Sequence, residues 1–125
     1  MRTYCCIIIH LLLAGVQAIA QENHQMVRLA KLTIDPAKLA LYNQVLKEQM
    51  TTAIRVEPGV ITYYAVSEKK DPAKITILEI YADTLAYQSH IRTPHFLKYK
   101  DTVKDWVLSL ELVDVTLIAA SRKPD

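Results

Sequence analysis

Most of the side chains with which this protein could do chemistry fall between Glu79 and Tyr99 (EIYADTLAYQSHIRTPHFLKY). Two of its four histidines, His90 and His95, flank a Thr93-Pro94 step, with Tyr81, Tyr87, Phe96 and Tyr99 nearby in sequence. An unperturbed imidazole titrates at about 6.5, so either histidine can accept a proton near neutral pH. Tyrosine hydroxyls can donate to a developing oxyanion. A proton acceptor beside aromatic surface suits a small aromatic ligand.

Each of these residues also has an ordinary structural reading. His90 can satisfy a backbone carbonyl near the end of its helical segment. His95 is the second residue of its helix, where the N-terminal dipole disfavours the charged ring. Tyr81 and Phe96 can be core, and Trp106 can be packing or interface. Glu79 shares a strand face with Ile75, Ile77 and Tyr81, where a carboxylate needs a partner and can staple a dimer as well as act in catalysis. A spacing of five broken by Pro94 does not give two ligands one helical turn apart, so no His–His metal site is expected.

The elements that must position these residues are legible from pattern. Met26 to Ile34 (MVRLAKLTI) is aliphatic and β-branched and predicts a strand. Asp35 caps and Pro36 opens a helix whose apolar positions Leu39, Tyr42, Val45, Leu46 and Ala53 recur at three- and four-residue spacing, carrying it to about Ala53. Glu57-Pro58-Gly59 ends it, with Gly59 expected at the positive φ of a type II turn. Val60 to Val66 (VITYYAV) and Ile75 to Ala82 predict two strands around a polar connection, and Tyr63 lies in the first of them. A helical segment runs to Ile91 and restarts at Thr93-Pro94, with Phe96, Val103, Val107 and Leu110 expected on one face. Leu112 to Ala119 (LVDVTLIA) predicts the last strand, and Ser121 to Asp125 a polar tail.

The order is β-α-β-β-α-β. Right-handed crossovers place both helices on one face of a four-stranded antiparallel sheet, an α+β, ferredoxin-like fold. In the third strand Thr76, Leu78 and Ile80 alternate with Ile75, Ile77, Glu79 and Tyr81. In the second, Val60, Thr62, Tyr64 and Val66 alternate with Ile61, Tyr63 and Ala65. Both sides are largely apolar, whereas a sheet wetted on one face alternates more cleanly. The uncovered face, to which Ile77 is assigned, therefore needs a symmetric partner, and a homodimer is expected.

A chain of 125 residues, 51% of them apolar, suffices for one domain with a real core. A net charge of +2, evenly spread, gives no footprint for nucleic acid or an anionic surface. Residues 1–20 read as a signal peptide, with Arg2, an apolar run from Cys5 to Val16 and the small-residue site Ala18-Ile19-Ala20. That run falls short of the roughly 20 residues needed to cross a bilayer, so no membrane span is expected. Export to the periplasm or medium would remove both cysteines, Cys5 and Cys6, leaving residues 21–125 as one domain held by packing alone.

The motif His90-Ile-Arg-Thr-Pro-His95, preceded by Glu79-Ile-Tyr81 and followed by Tyr99, resembles the antibiotic biosynthesis monooxygenase (ABM) family, and within it the small quinol monooxygenase branch. Glu57-Pro58-Gly59 before the second strand fits the same pattern. The resemblance spans about residues 27–119. It implies a ferredoxin-like dimer of the α/β-barrel type, with sheets packed face to face. It also implies oxygenation of a small quinol or hydroxy-aromatic compound with no metal or flavin, dioxygen being the co-substrate. His90 and His95 are then the candidate bases, and Tyr63, Glu79, Tyr81, Phe96 and Tyr99 the candidate substrate contacts. The haem-degrading branch carries an Asn-Trp-His set that this sequence lacks. Its strand one has no asparagine, His90 stands near the tryptophan position and Lys100 near that of the haem-ligating histidine. Two alternatives share the same pocket: an isomerase of a small enolisable carbonyl compound, and a non-catalytic dimer that binds a small molecule.

Overall fold

A computed structural model describes residues 24–125. The expected signal peptide and both cysteines lie outside the described residues. Strand β1 (Met26–Ile34) leads through a 3-10 turn (Pro36–Lys38) into α1 (Leu39–Val56). Strands β2 (Val60–Ser67) and β3 (Lys74–Tyr81) follow, then α2 (Thr84–His90), α3 (Pro94–Val103) and β4 (Val107–Val115). The four strands form one antiparallel sheet in the order β2-β3-β1-β4, the ferredoxin-like arrangement read from the sequence. Among the described residues no helix is long and apolar enough to cross a membrane.

Capping explains where the helices begin. The Asp35 carboxylate accepts from Ala37 N at 3.0 Å and Pro36 opens the first turn. The Asp83 carboxylate accepts from Ala86 N at 2.7 Å and starts α2. At Thr93 the hydroxyl accepts from Phe96 N at 3.3 Å and donates to the His90 carbonyl at 2.7 Å, so one side chain caps α3 and ties down the end of α2.

The core lies between the helices and one sheet face. Ala30, Leu32 and Ile34 of β1, and Ile75, Ile77 and Tyr81 of β3, pack with Tyr42, Leu46 and Ala53 of α1 and Tyr99 and Val103 of α3. Tyr42 and Tyr99 join their hydroxyls at 2.7 Å inside it. The opposite face exposes Tyr64 and Val66 of β2.

The structure departs from the sequence reading at four places. Ile77 belongs to the helix-covered face and is 3% exposed, so it is not an open-face residue. Alternation through β2 fails at its start. A bulge shifts the register between Val60 and Thr62, so Val60 shares the inner face with Tyr63 and Ala65. The last strand begins at Val107 rather than Leu112 and ends at Val115, because pairing with β1 (Ile34 to Val107, Leu32 to Leu110) claims residues that helical spacing had assigned to α3. The reversal is closed by Trp106 N donating to the Val103 carbonyl at 2.8 Å. Finally, Gly59 has no positive φ. A methyl group there would stand 2.6 Å from the Ala86 Cβ, so glycine serves the close approach of α2.

Candidate active site

The inner face of β3 places Glu79 between Tyr63 of β2 and Arg28 of β1, its cross-strand neighbours. Helix α3, laid across this face from Pro94, brings Phe96 and Tyr99 over the same ground. The result is a cavity of about 690 Å³ whose walls include Tyr63, Glu79, Tyr81, Phe96, Tyr99 and Tyr87. All five residues named from the sequence as candidate substrate contacts line it. Its outer rim is formed by Leu108, Leu110 and Leu112 of β4, which no helix covers.

Electrostatics inside the cavity favour neutral tyrosines around one carboxyl. Burial pushes the Tyr63 and Tyr81 hydroxyls well above their ordinary range, with the charge of Glu79 acting in the same direction. Burial likewise raises the Glu79 carboxyl above its usual value, opposed by the nearby Tyr81 hydroxyl, the Arg28 guanidinium and the Tyr63 hydroxyl. Arg28 is held at the rim by Asp114, with Nε donating to Oδ1 at 2.9 Å, and lies 4.5 Å from the Tyr87 ring centroid. This set can orient a planar ligand between aromatic rings, donate to its oxygens and take a proton from it.

The histidines stand elsewhere. His90 has no exposed surface and sits one ring behind the cavity wall, 4.9 Å from Phe96, 5.4 Å from Tyr81 and 5.8 Å from Tyr63, centroid to centroid. His95 lies further out, beside a surface cleft that it shares with Glu57 and Gly59. The Thr93-Pro94 step brings the two rings together despite their spacing of five, because α3 leaves at a new angle. His90 Nδ1–H and His95 Nε2–H both donate to Glu57 Oε2, at 2.9 and 2.6 Å. Behind His90, the Gln49 amide approaches Nε2 at 3.5 Å. Burial lowers the His90 pKa, against the hydrogen bond and charge of Glu57.

Sequence reasoning missed Glu57 and Gln49. Glu57 was read as part of a helix stop and of the family pattern, not as a site residue. A signal was present, since a carboxylate at a helix C-terminus opposes the macrodipole and calls for a cationic or N–H partner. Gln49 carried none, as only the packed structure shows that it is 3% exposed.

The family described as antibiotic biosynthesis monooxygenase matches residues 26–102. A Bacteroides thetaiotaomicron VPI-5482 protein whose structure carries the same family name is 51% identical, with a TM-score of 0.77 over 82% of this chain and 97% of that one. A Nitrosomonas europaea protein with that family name has a TM-score of 0.72 over 80% of this chain and 96% of its own; at 22% identity the likeness is one of fold. A comparison with curated proteins gives no match.

Proposed function

Because this chain belongs to the antibiotic biosynthesis monooxygenase family, we propose that it is a monooxygenase of a small quinol or other hydroxy-aromatic compound, bound in the cavity over Glu79. The observation that carries this reading is a buried carboxyl inside an aromatic-walled cavity, flanked by neutral tyrosine hydroxyls. An ionised Glu79 takes the proton of the substrate hydroxyl, and Tyr63 and Tyr81 donate to the oxyanion left behind. The electron-rich anion then reduces dioxygen. One oxygen atom enters the ring and the other leaves as water, so quinol plus dioxygen gives hydroxyquinone plus water. No resident metal or flavin is required by that balance. The base assigned from sequence, His90 or His95, gives way to Glu79, since neither histidine lines the cavity. His90 instead supports the wall formed by Tyr81 and Phe96.

The acting species in this reading is an exported homodimer. The apolar side chains of β2 on the open face, Tyr64 and Val66, are 60% and 64% exposed in one chain, which favours a second copy as cover.

Oxygen consumption tests the function. The protein, freed of added metal and flavin, should take up dioxygen with one or more of a panel of reduced quinols. Glu79→Gln should lose roughly 10²–10⁴-fold in rate while retaining its fold. Equal rates for wild type and variant across the panel would remove Glu79 as the base. An absence of uptake with every quinol would favour the isomerase or binding readings.

A further inference from the structure

The cluster of Glu57, His90 and His95 takes no part in the chemistry proposed above, yet three elements are arranged to make it. Glu57 ends α1, His90 ends α2 and His95 opens α3. Their side chains are 12%, 1% and 17% exposed, and one ligating atom from each lies within 4.8 Å of the other two. Both imidazoles address the same oxygen of one carboxylate, so two protons occupy a point where nitrogen, nitrogen and oxygen converge.

The cluster has a defect in its hydrogen bonding. With His90 Nδ1–H donating to Glu57, Nε2 is an acceptor and the Gln49 amide must present its NH₂ group, at a long 3.5 Å. That orientation leaves Gln49 Oε1 buried with no hydrogen-bond partner, the one such side-chain atom found among the described residues. The opposite tautomer would repair it. With the proton on Nε2, His90 donates to Oε1 of a turned amide, and Nδ1 presents its lone pair to the Glu57 carboxylate. Two lone pairs or negative charges then face each other unless a cation stands between them.

We propose that Glu57, His90 and His95 form a binding site for a divalent transition-metal ion, with Gln49 fixing His90 from behind. Two histidines and one carboxylate suit zinc or its neighbours, and a metal-bound histidine characteristically gives its other N–H to a buried acceptor. Ligand atoms on a tetrahedral zinc stand roughly 3.3 Å apart, so the present contacts of 2.9 and 2.6 Å need open by less than about 1 Å. Access is from the surface cleft of about 380 Å³ beside Glu57 and His95, which would hold the remaining coordination position. The ion would clamp the ends of three helices outside the cavity, and its binding stands independently of oxygenation.

Cobalt provides the direct test. The full chain, stripped with chelator and dialysed, is titrated with Co²⁺ and then with Zn²⁺. The expected result is one Co²⁺ per chain with visible d–d absorption, lost on adding Zn²⁺. His95→Ala, at the partly exposed ligand, should abolish that spectrum while circular dichroism stays native, and Glu57→Gln gives a second ligand variant should the first unfold. Gln49→Leu should weaken binding about 10–100-fold without removing a ligand. A cluster that is a hydrogen-bonded tie only would give no stoichiometric binding, or binding unchanged in His95→Ala. Either outcome overturns the proposal.

Discussion

Gly59 and Ala86 meet so closely that a single methyl group on Gly59 would stand 2.6 Å from the Ala86 Cβ. The contact docks the first turn of α2 on the entry to β2. Ala82 N reinforces it by donating to the Gly59 carbonyl at 2.9 Å. Since α2 delivers Tyr87 to the cavity and His90 to the layer behind it, this spacing sets the position of both. Gly59→Ala should therefore destabilise the fold by about 1–3 kcal/mol, the usual cost of overpacking. Urea unfolding would measure it. The double variant with Ala86→Gly should recover part of the loss, and a neutral Gly59→Ala would show that α2 is free to move.

A second prediction concerns the hydroxyl pair Tyr42–Tyr99, which links α1 to α3 at 2.7 Å. Tyr42→Phe leaves a buried hydroxyl on Tyr99 without its partner, at a cost of about 1–3 kcal/mol. Replacing both with phenylalanine should cost less than the sum of the two single changes. Additive losses in that double-mutant cycle would mean that the bond contributes no coupling. Because Tyr99 lines the cavity, the single change should also alter KM for a substrate bound there.

Glu79 links stability and activity to pH in opposite directions. Its folded-state pKa is raised by burial above an unfolded value of about 4.3. Between those two values the folded chain holds a proton that the unfolded chain has released. Stability from this group is therefore full below about 4.3 and is lost as pH rises through the raised folded value. Glu79→Gln should flatten that part of the stability profile and leave the protein at least as stable at neutral pH. Turnover runs the other way, falling as pH drops and the carboxyl takes up its proton. A stability profile unaltered by Glu79→Gln would show that the carboxyl is not shifted by the fold.

The open sheet face gives the fourth. Val66, exposed on the face away from the helices, becomes an interface residue in a sheet-to-sheet dimer. Sedimentation of the wild type at micromolar concentration should give twice the mass of one chain, and Val66→Lys should shift it toward monomer, since an unpaired charge is costly to bury. Wild type at the mass of one chain would refute the arrangement.

The sequence alone carried the element order, the antiparallel sheet and the starts of α1 and α3, because Asp35 and Thr93 act on backbone within a few residues of themselves. It also named five residues that the structure gathers around one cavity. Alternation along β3 puts Glu79 and Tyr81 on one face, and Pro94 restarts the helix that carries Phe96 and Tyr99. Relations set by pairing or packing across the chain lay beyond it. Residues Val107 to Leu110 suit a helix stripe as well as a strand, and only hydrogen bonding to β1 made them strand. The bulge at Val60–Thr62 inverted one residue's face without a proline or glycine at the shift to mark it. His90 and His95 were visible as residues but not as a cluster. Their meeting depends on the angle between α2 and α3 and on Glu57, which comes from 33 positions before His90. Tertiary packing alone decided which of the candidate proton acceptors faces the cavity. Solvent exclusion at a point depends on every element that surrounds it, and no local stretch of sequence holds that information.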